Sequence, residues 1–208
     1  MVVYITNRRI SFLLTVYHGT ITSCAKNIIE HGIILKKGKR KVDFGQGFYT
    51  TKSSKFAKST AKNKAQKTNL HYGREIVKPV VLKFYVDESI LNTLNVLQFN
   101  TEDICWAQFI INNRNGFDYM NNVGTHFHNI KHKYDVVIGA IADNQISLLA
   151  KNLDIMHSKV DVSDLSYMKY SYRTNQISFH TEKSLSCLQL INCDIILPNK
   201  KKGDVTNE

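Results

Sequence analysis

A chain of 208 residues with 43% hydrophobic and 22% charged side chains is long enough to bury one substantial core, and its ordinary composition excludes fibrous and low-complexity classes. No apolar run reaches the length of a membrane span, and four cysteines without Cys-x-x-Cys spacing exclude a disulfide framework. The formal net charge of +11 is concentrated at one end: residues 1–70 hold 14 Lys and Arg against Glu30 and Asp43 alone, while residues 71–208 hold 14 against 15 acids. Such a one-sided field attracts polyanions, whether nucleic acid, nucleotide phosphates or an acidic protein. A solvated lysine-rich surface is the plainer alternative. The cysteine usage predicts reduced thiols in a cytoplasmic protein. Without a Pro/Gly/Ser-rich linker or an internal repeat, residues 1–199 are expected to form a single domain, with 200–208 a disordered basic tail.

Asn7-Arg8-Arg9 followed by an apolar run superficially resembles a signal peptide, but the run continues into Tyr17-His18-Gly19 without a cleavage site. It reads as a first strand, Phe12 to Tyr17. Thr22 to His31 reads as a helix stopped by Gly32, and Lys36 to Asp43 as a basic loop. Phe48 to Thr51 is a short strand, after which Ser53 caps a helix running to about Lys67. On that helix Ala57, Ala61 and Ala65 form a small-residue stripe for close packing, with Lys55, Lys58 and Lys62 outward. Ile76 to Val86 reads as a strand in which Pro79 argues for an edge or a bulge. Thr101 is expected to cap a helix from Glu102 to about Arg114. Tyr134 to Ile141 reads as a buried strand, followed by a short helix near Ile146 to Leu153. Gln176 to Phe179 and Leu188 to Leu197 complete the strands. Strands mixed with short helices, without repeated βαβ units, predict α+β rather than doubly wound α/β.

The segment Asp43-Phe44-Gly45-Gln46-Gly47-Phe48-Tyr49-Thr50-Thr51 carries the strongest chemical signal. Two glycines permit positive φ or close backbone approach to a ligand, and the strand that follows holds Tyr49 in place. Its distant companions are Tyr17-His18-Gly19-Thr20 upstream and Asn175-Gln176-Ile177-Ser178-Phe179 downstream. Taken singly, His18 and Tyr49 are more readily core residues than ligand contacts. His126, His128 and His132 lack a carboxylate or cysteine at ligand spacing, so no metal site is expected. Arg114 and Arg173 are candidates for phosphate contacts, with a helix-end dipole contact the simpler role for Arg114. Glu182 reads as a first-turn helix residue after Thr181.

In this order the three segments resemble the ADP-ribosyltransferase superfamily, in particular the branch with a His-Tyr-Glu triad that includes poly(ADP-ribose) polymerases and diphtheria-type toxins. Phe44-Gly45-Gln46-Gly47-Phe48-Tyr49 is similar to the polymerases' Phe-Gly-x-Gly-Ile-Tyr. Tyr-His-Gly, Asp-Phe-Gly-x-Gly-Phe-Tyr, Tyr-Asp-Val-Val-Ile-Gly and Gln-Ile-Ser-Phe together resemble an uncharacterised bacterial family often encoded beside small antitoxin-like genes. The resemblance covers roughly Val16 to Leu190. It implies a mixed or antiparallel split sheet with short flanking helices, and NAD as substrate. His18, Tyr49 and Gln176 would be catalytic. His18, Gly19, Thr20, Phe44, Gly45, Gly47, Tyr49 and Phe56 would contact NAD, with no metal. His18 would bond a ribose hydroxyl, Gly19 would present its backbone to the nicotinamide carboxamide, and Tyr49 would stack on the ring. Gln176 departs from the pattern: it keeps the hydrogen bond of the expected Glu but lacks its charge. Thr60 stands where polymerases place a second aromatic, so Phe56 is the candidate substitute and single transfer is expected rather than polymer growth. The implied partners are NAD, a nucleic-acid or protein acceptor and a small acidic antitoxin protein, with no membrane. The alternatives are a non-catalytic NAD- or nucleic-acid-binding module with a degenerate triad and, third, an RNA 2′-phosphotransferase of the same fold.

Overall fold

A computed structural model describes residues 14–116, 128–142, 146, 148–150, 152 and 175–197. The elements are β1 (Leu14–Ile21), α1 (Thr22–His31), a 3-10 turn at Leu35–Lys37, β2 (Phe48–Thr51), α2 (Ser54–His71), β3 (Pro79–Val86), α3 (Glu88–Leu91), β4 (Val96–Gln98), α4 (Ile104–Asn115), β5 (Val136–Ala140), β6 (Asn175–Phe179), α5 (Glu182–Leu185) and β7 (Leu188–Ile195). Helical backbone recurs at Ile146 and at 148–150, within the helix expected there. The expected tail, Arg173 and His126 lie outside the described residues.

The strands form one mixed seven-stranded sheet in the order β4-β5-β6-β2-β1-β3-β7. Every pairing is antiparallel except β4 with β5. The architecture is α+β, as expected. The ladder is uneven. β1 is paired with β3 at eight positions, but with β2 only at Tyr17↔Thr51. A thin seam therefore separates β4-β5-β6-β2 from β1-β3-β7.

Helices cover both faces. On one, α4 packs over Val137, Tyr49 and Phe44, and α2 sits over Tyr17 and Val81. On the other, α1 brings Ala25 and Ile28 and α3 brings Leu91 onto Val16, Phe48, Leu82 and Ile177. The alanine stripe works as expected: Ala57, Ala61 and Ala65 are buried, and Lys55, Lys58 and Lys62 are exposed. Ser53 caps α2 by accepting from the Phe56 N–H at 3.1 Å, and the helix continues one turn beyond Lys67 to His71.

Several boundaries differ for identifiable reasons. β1 runs on through Ile21, so His18, Gly19 and Thr20 are strand residues paired with Leu82, Val81 and Val80. Pro79 begins β3 rather than marking an edge; the strand is internal, and its irregularity falls at Lys83/Phe84. Thr101 does not cap α4. Asp103 does, accepting from the Trp106 N–H at 2.9 Å, while the Thr101 hydroxyl donates to Asp103. A carboxylate also suits the positive helix end better than a hydroxyl. Among the described residues, no helix is long and apolar enough to cross a membrane.

Candidate functional site

The sheet order β6-β2-β1 sets the three motif strands side by side. Alternation then divides their side chains. Tyr49 is opposite Ser178, and Thr51 is opposite Gln176, so Tyr49 and Gln176 share a face. His18 lies on the other face, its ring stacked 4.5 Å from Phe48. The link between His18 and Tyr49 is through backbone: His18 Nδ1 bonds the Tyr49 carbonyl at 2.6 Å across the seam. Because a carbonyl only accepts, Nδ1 carries the proton and Nε2 is left as an acceptor. Burial, reinforced by the nearby Lys64 ammonium, pulls the His18 pKa down to about 4, so the ring is neutral at pH 7.

Tyr49 is fixed by the turn that precedes it. Its hydroxyl donates to the Gly45 carbonyl at 2.6 Å and accepts from the Phe44 N–H at 3.0 Å. Burial and the Asp43 carboxylate push its pKa well above the ordinary tyrosine value. Phe44, expected in the ligand wall, is fully buried among Tyr49, Phe99 and Phe109 and is a core residue here.

The glycines have packing reasons. Gly45 has φ +84°, and a Cβ there would sit 2.9 Å from Asn113 Oδ1. At Gly47 a Cβ would meet His180 Nδ1 at 2.6 Å. His180 is itself buried, donating from Nδ1 to the Gln46 carbonyl at 2.9 Å and accepting at Nε2 from the Ser178 hydroxyl at 2.8 Å. The Ser178–His180 pair has nucleophile–base geometry, but both residues are 0% exposed, so it serves to pin the glycine turn to β6. Gly19 is covered by α2: a Cβ would lie 2.1 Å from the Ala57 carbonyl oxygen. Its own carbonyl accepts from Lys64 Nζ at 2.8 Å. Thr20 is buried one residue further along.

The sequence reading did not single out the hub of the other face. Asp43 is buried and receives donors from three residues: Arg114, through Nε at 2.8 Å and Nη2, the Ala142 N–H at 3.1 Å and Gln176 Nε2 at 2.7 Å. Only the amide nitrogen of Gln176 can donate to a carboxylate, so the contact orients the side chain with Oε1 as its free acceptor. It also gives a reason for glutamine at this position, since a glutamate would oppose Asp43 charge to charge. Arg114 thus serves the motif turn through an ion pair. Asp135 accepts from the Asn95 N–H and the Thr181 hydroxyl, tying the start of β5 to β4 and α5.

A cavity of about 780 Å³ opens beside the motif strands, within the range of small-molecule sites. Its wall includes Lys52, Ser53, Phe56, Asn175 and Ile177, so Phe56 lines it and the neighbours of Gln176 border it. The family model described as a protein of unknown function, DUF3990, matches residues 14–190. The chain belongs to the DUF3990 family. No curated protein and no solved structure matches it. The DUF3990 match begins with β1 and ends within β7, so it takes in His18, Tyr49, Gln176 and the Asp43 hub. Among the described residues, no group of three His, Cys, Asp or Glu is placed to hold a metal.

The two neutral histidines give the fold a pH dependence. His18 and His180 are both lowered from 6.5 to about 4, chiefly by burial, so the unfolded chain binds protons that the native state refuses. Their contribution is complete above about pH 6.5 and is lost as pH falls towards 4, by up to about 3 kcal/mol each. Thermal denaturation across this interval is expected to show a falling Tm, with a shallower fall in His18→Ala. A flat profile would show that the rings are charged or solvated.

Proposed function

We propose that this protein is an NAD-dependent mono-ADP-ribosyltransferase, a cytoplasmic bacterial toxin or defence effector that modifies a nucleic-acid or protein acceptor. The observation that carries the proposal is the adjacency of the Tyr-His-Gly, Gly-x-Gly-Phe-Tyr and Asn-Gln-Ile-Ser-Phe strands at a thin seam in a mixed sheet, with a cavity beside them. On this reading NAD is a substrate. Its nicotinamide–ribose bond breaks with the electron pair leaving on nicotinamide, and the acceptor bonds to the ribose carbon as it loses its proton. His18 Nε2 is an acceptor for a ribose hydroxyl, fixed by the bond at Nδ1. Gln176 lies on the opposite face of the sheet, so the ribose contact expected of its Oε1 requires the tie to Asp43 to open. Phe56 and Lys52 on the cavity wall offer a ring face and a phosphate charge. The chain as described has Gly19 closed over by α2, so the carboxamide contact expected there requires α2 to shift.

The test is incubation of the full chain with labelled NAD and cell extract, with and without added nucleic acid. Transfer of label and release of nicotinamide are expected. His18→Ala should lower both by about 100-fold, on the scale of one removed preorganised group. Absence of both transfer and NAD hydrolysis would sink the proposal. A second reading, a binding module with a degenerate triad, is favoured by one observation: the Gln176 amide is engaged in the Asp43–Arg114 hub. It prevails if Tyr49→Ala and Gln176→Ala leave transfer and toxicity unchanged.

A further inference from the structure

The outer face of α2 and the loop before the glycine turn make one cationic surface. α2 carries five lysines and no acidic residue, and Lys52, Lys55, Lys58, Lys62 and Lys67 are all exposed. The ion pairs among the described residues, Lys26 with Glu30 and Arg114 with Asp43, leave these lysines without a carboxylate. The loop is held rather than trailing. Gln46 Nε2 donates to the carbonyls of Gly38 at 2.8 Å and Lys36 at 3.2 Å, docking Lys36-Lys37-Gly38-Lys39 on the motif turn. Burial lowers the Lys64 pKa from its ordinary value and the Lys39 charge lowers it further, so loop and helix share one field.

Aromatic rings stand at both ends of the helix. Phe56 lies in the first turn at the cavity rim, 37% exposed, and Tyr72 follows the last turn, 59% exposed, edge-on to His71 at 5.0 Å. The 18 residues of α2 span about 27 Å. Lysines three and four positions apart stand about 5–6 Å from one another, a ladder suited to successive phosphates.

We infer that this surface binds single-stranded nucleic acid along α2, with bases stacked on Tyr72 and the strand led to the cavity rim at Phe56. The chemistry separates this occupant from others. Lysine point charges bind phosphates without base preference, and exposed rings take the faces of unpaired bases, which a duplex does not present. A protein partner requires an apolar centre, whereas interfaces are depleted in lysine and this face is lysine-dominated. That the bound strand is also the acceptor rests on the transferase reading; the binding itself does not.

The test is fluorescence anisotropy of the full chain, without NAD, using a fluorescein-labelled oligodeoxythymidylate of about 15 nucleotides over a salt series. Lys55→Gln/Lys58→Gln/Lys62→Gln is expected to weaken binding at least about 10-fold and to reduce the log–log salt slope by about 2. The same charge change at Lys131, Lys133 and Lys183, exposed on the opposite half of the sheet, should leave affinity within about twofold. Tyr72→Ala should weaken binding without altering the salt slope. The inference is overturned by absence of saturable binding, by equal loss in both triple variants, or by tighter binding of duplex or of poly-glutamate. Retained binding with no ADP-ribosyl transfer would sink the transferase reading alone.

Discussion

Gly19→Ala is expected to destabilise the protein by about 3 kcal/mol or more, read as a fall in the urea midpoint. The new Cβ would lie 2.1 Å from the Ala57 carbonyl oxygen and 3.0 Å from the Ala61 nitrogen, so it meets helix backbone, which has no rotamer to move aside. Overpacking of that kind costs about 1–3 kcal/mol, and more when backbone must shift. The substitution separates two reasons for the glycine. If its missing side chain serves only ligand approach, Gly19→Ala loses NAD binding at unchanged stability. Loss of stability shows that seating α2 on β1 is itself a requirement.

Asp43→Ala should cost about 3–5 kcal/mol, the range for removing one partner of a buried ion pair. It would strand the Arg114 guanidinium, the Gln176 amide and the Ala142 N–H together. Asp43 and Arg114 side chains are 9% and 25% exposed, so water does not readily replace the lost carboxylate. A double-mutant cycle with Arg114→Ala gives the sharper result: the double variant is expected to be less destabilised than the sum of the singles. Additive losses would mean that the pair is not coupled.

The residues show why some of this was readable and some was not. α1, β2 and the start of α2 announce themselves locally, through the Gly32 stop, the β-favouring Phe48-Tyr49-Thr50-Thr51 and the Ser53 cap. The alanine stripe gave the buried face of α2 because period 3.6 needs no knowledge of the partner. α4 withheld its environment. Gln108, Asn112 and Asn113 look like a solvated side, yet all are buried, and their burial depends on partners distant in the chain. Asn113, for example, reaches the backbone of Asn129. The Asp43 hub was hidden for the same reason, since its donors stand 71, 99 and 133 positions away and leave no spacing to detect. Ser178 and His180 did leave a signal, polar residues that continue the alternation of Gln176 along β6 and just past its end. That alternation was the available clue to the His180 contact with the glycine turn.

The position of β6 has a consequence for the order in which the sheet closes. β6, at Asn175–Phe179, is the strand that joins β5 to β2, and β7 at Leu188–Ile195 closes the far side of β3. A nascent chain that has emerged only through β5 holds two separate fragments, β2-β1-β3 and β4-β5, the first divided by the thin seam at Tyr17↔Thr51. The pairing of Thr51 with Gln176 and the docking of the glycine turn on His180 both wait for the last part of the sequence. Such long-range closure makes folding a late and slow event. A chain cut before β6 is therefore expected to lack both the Thr51–Gln176 pairing and the His180 contact with the glycine turn, the two links that close the sheet around the candidate site.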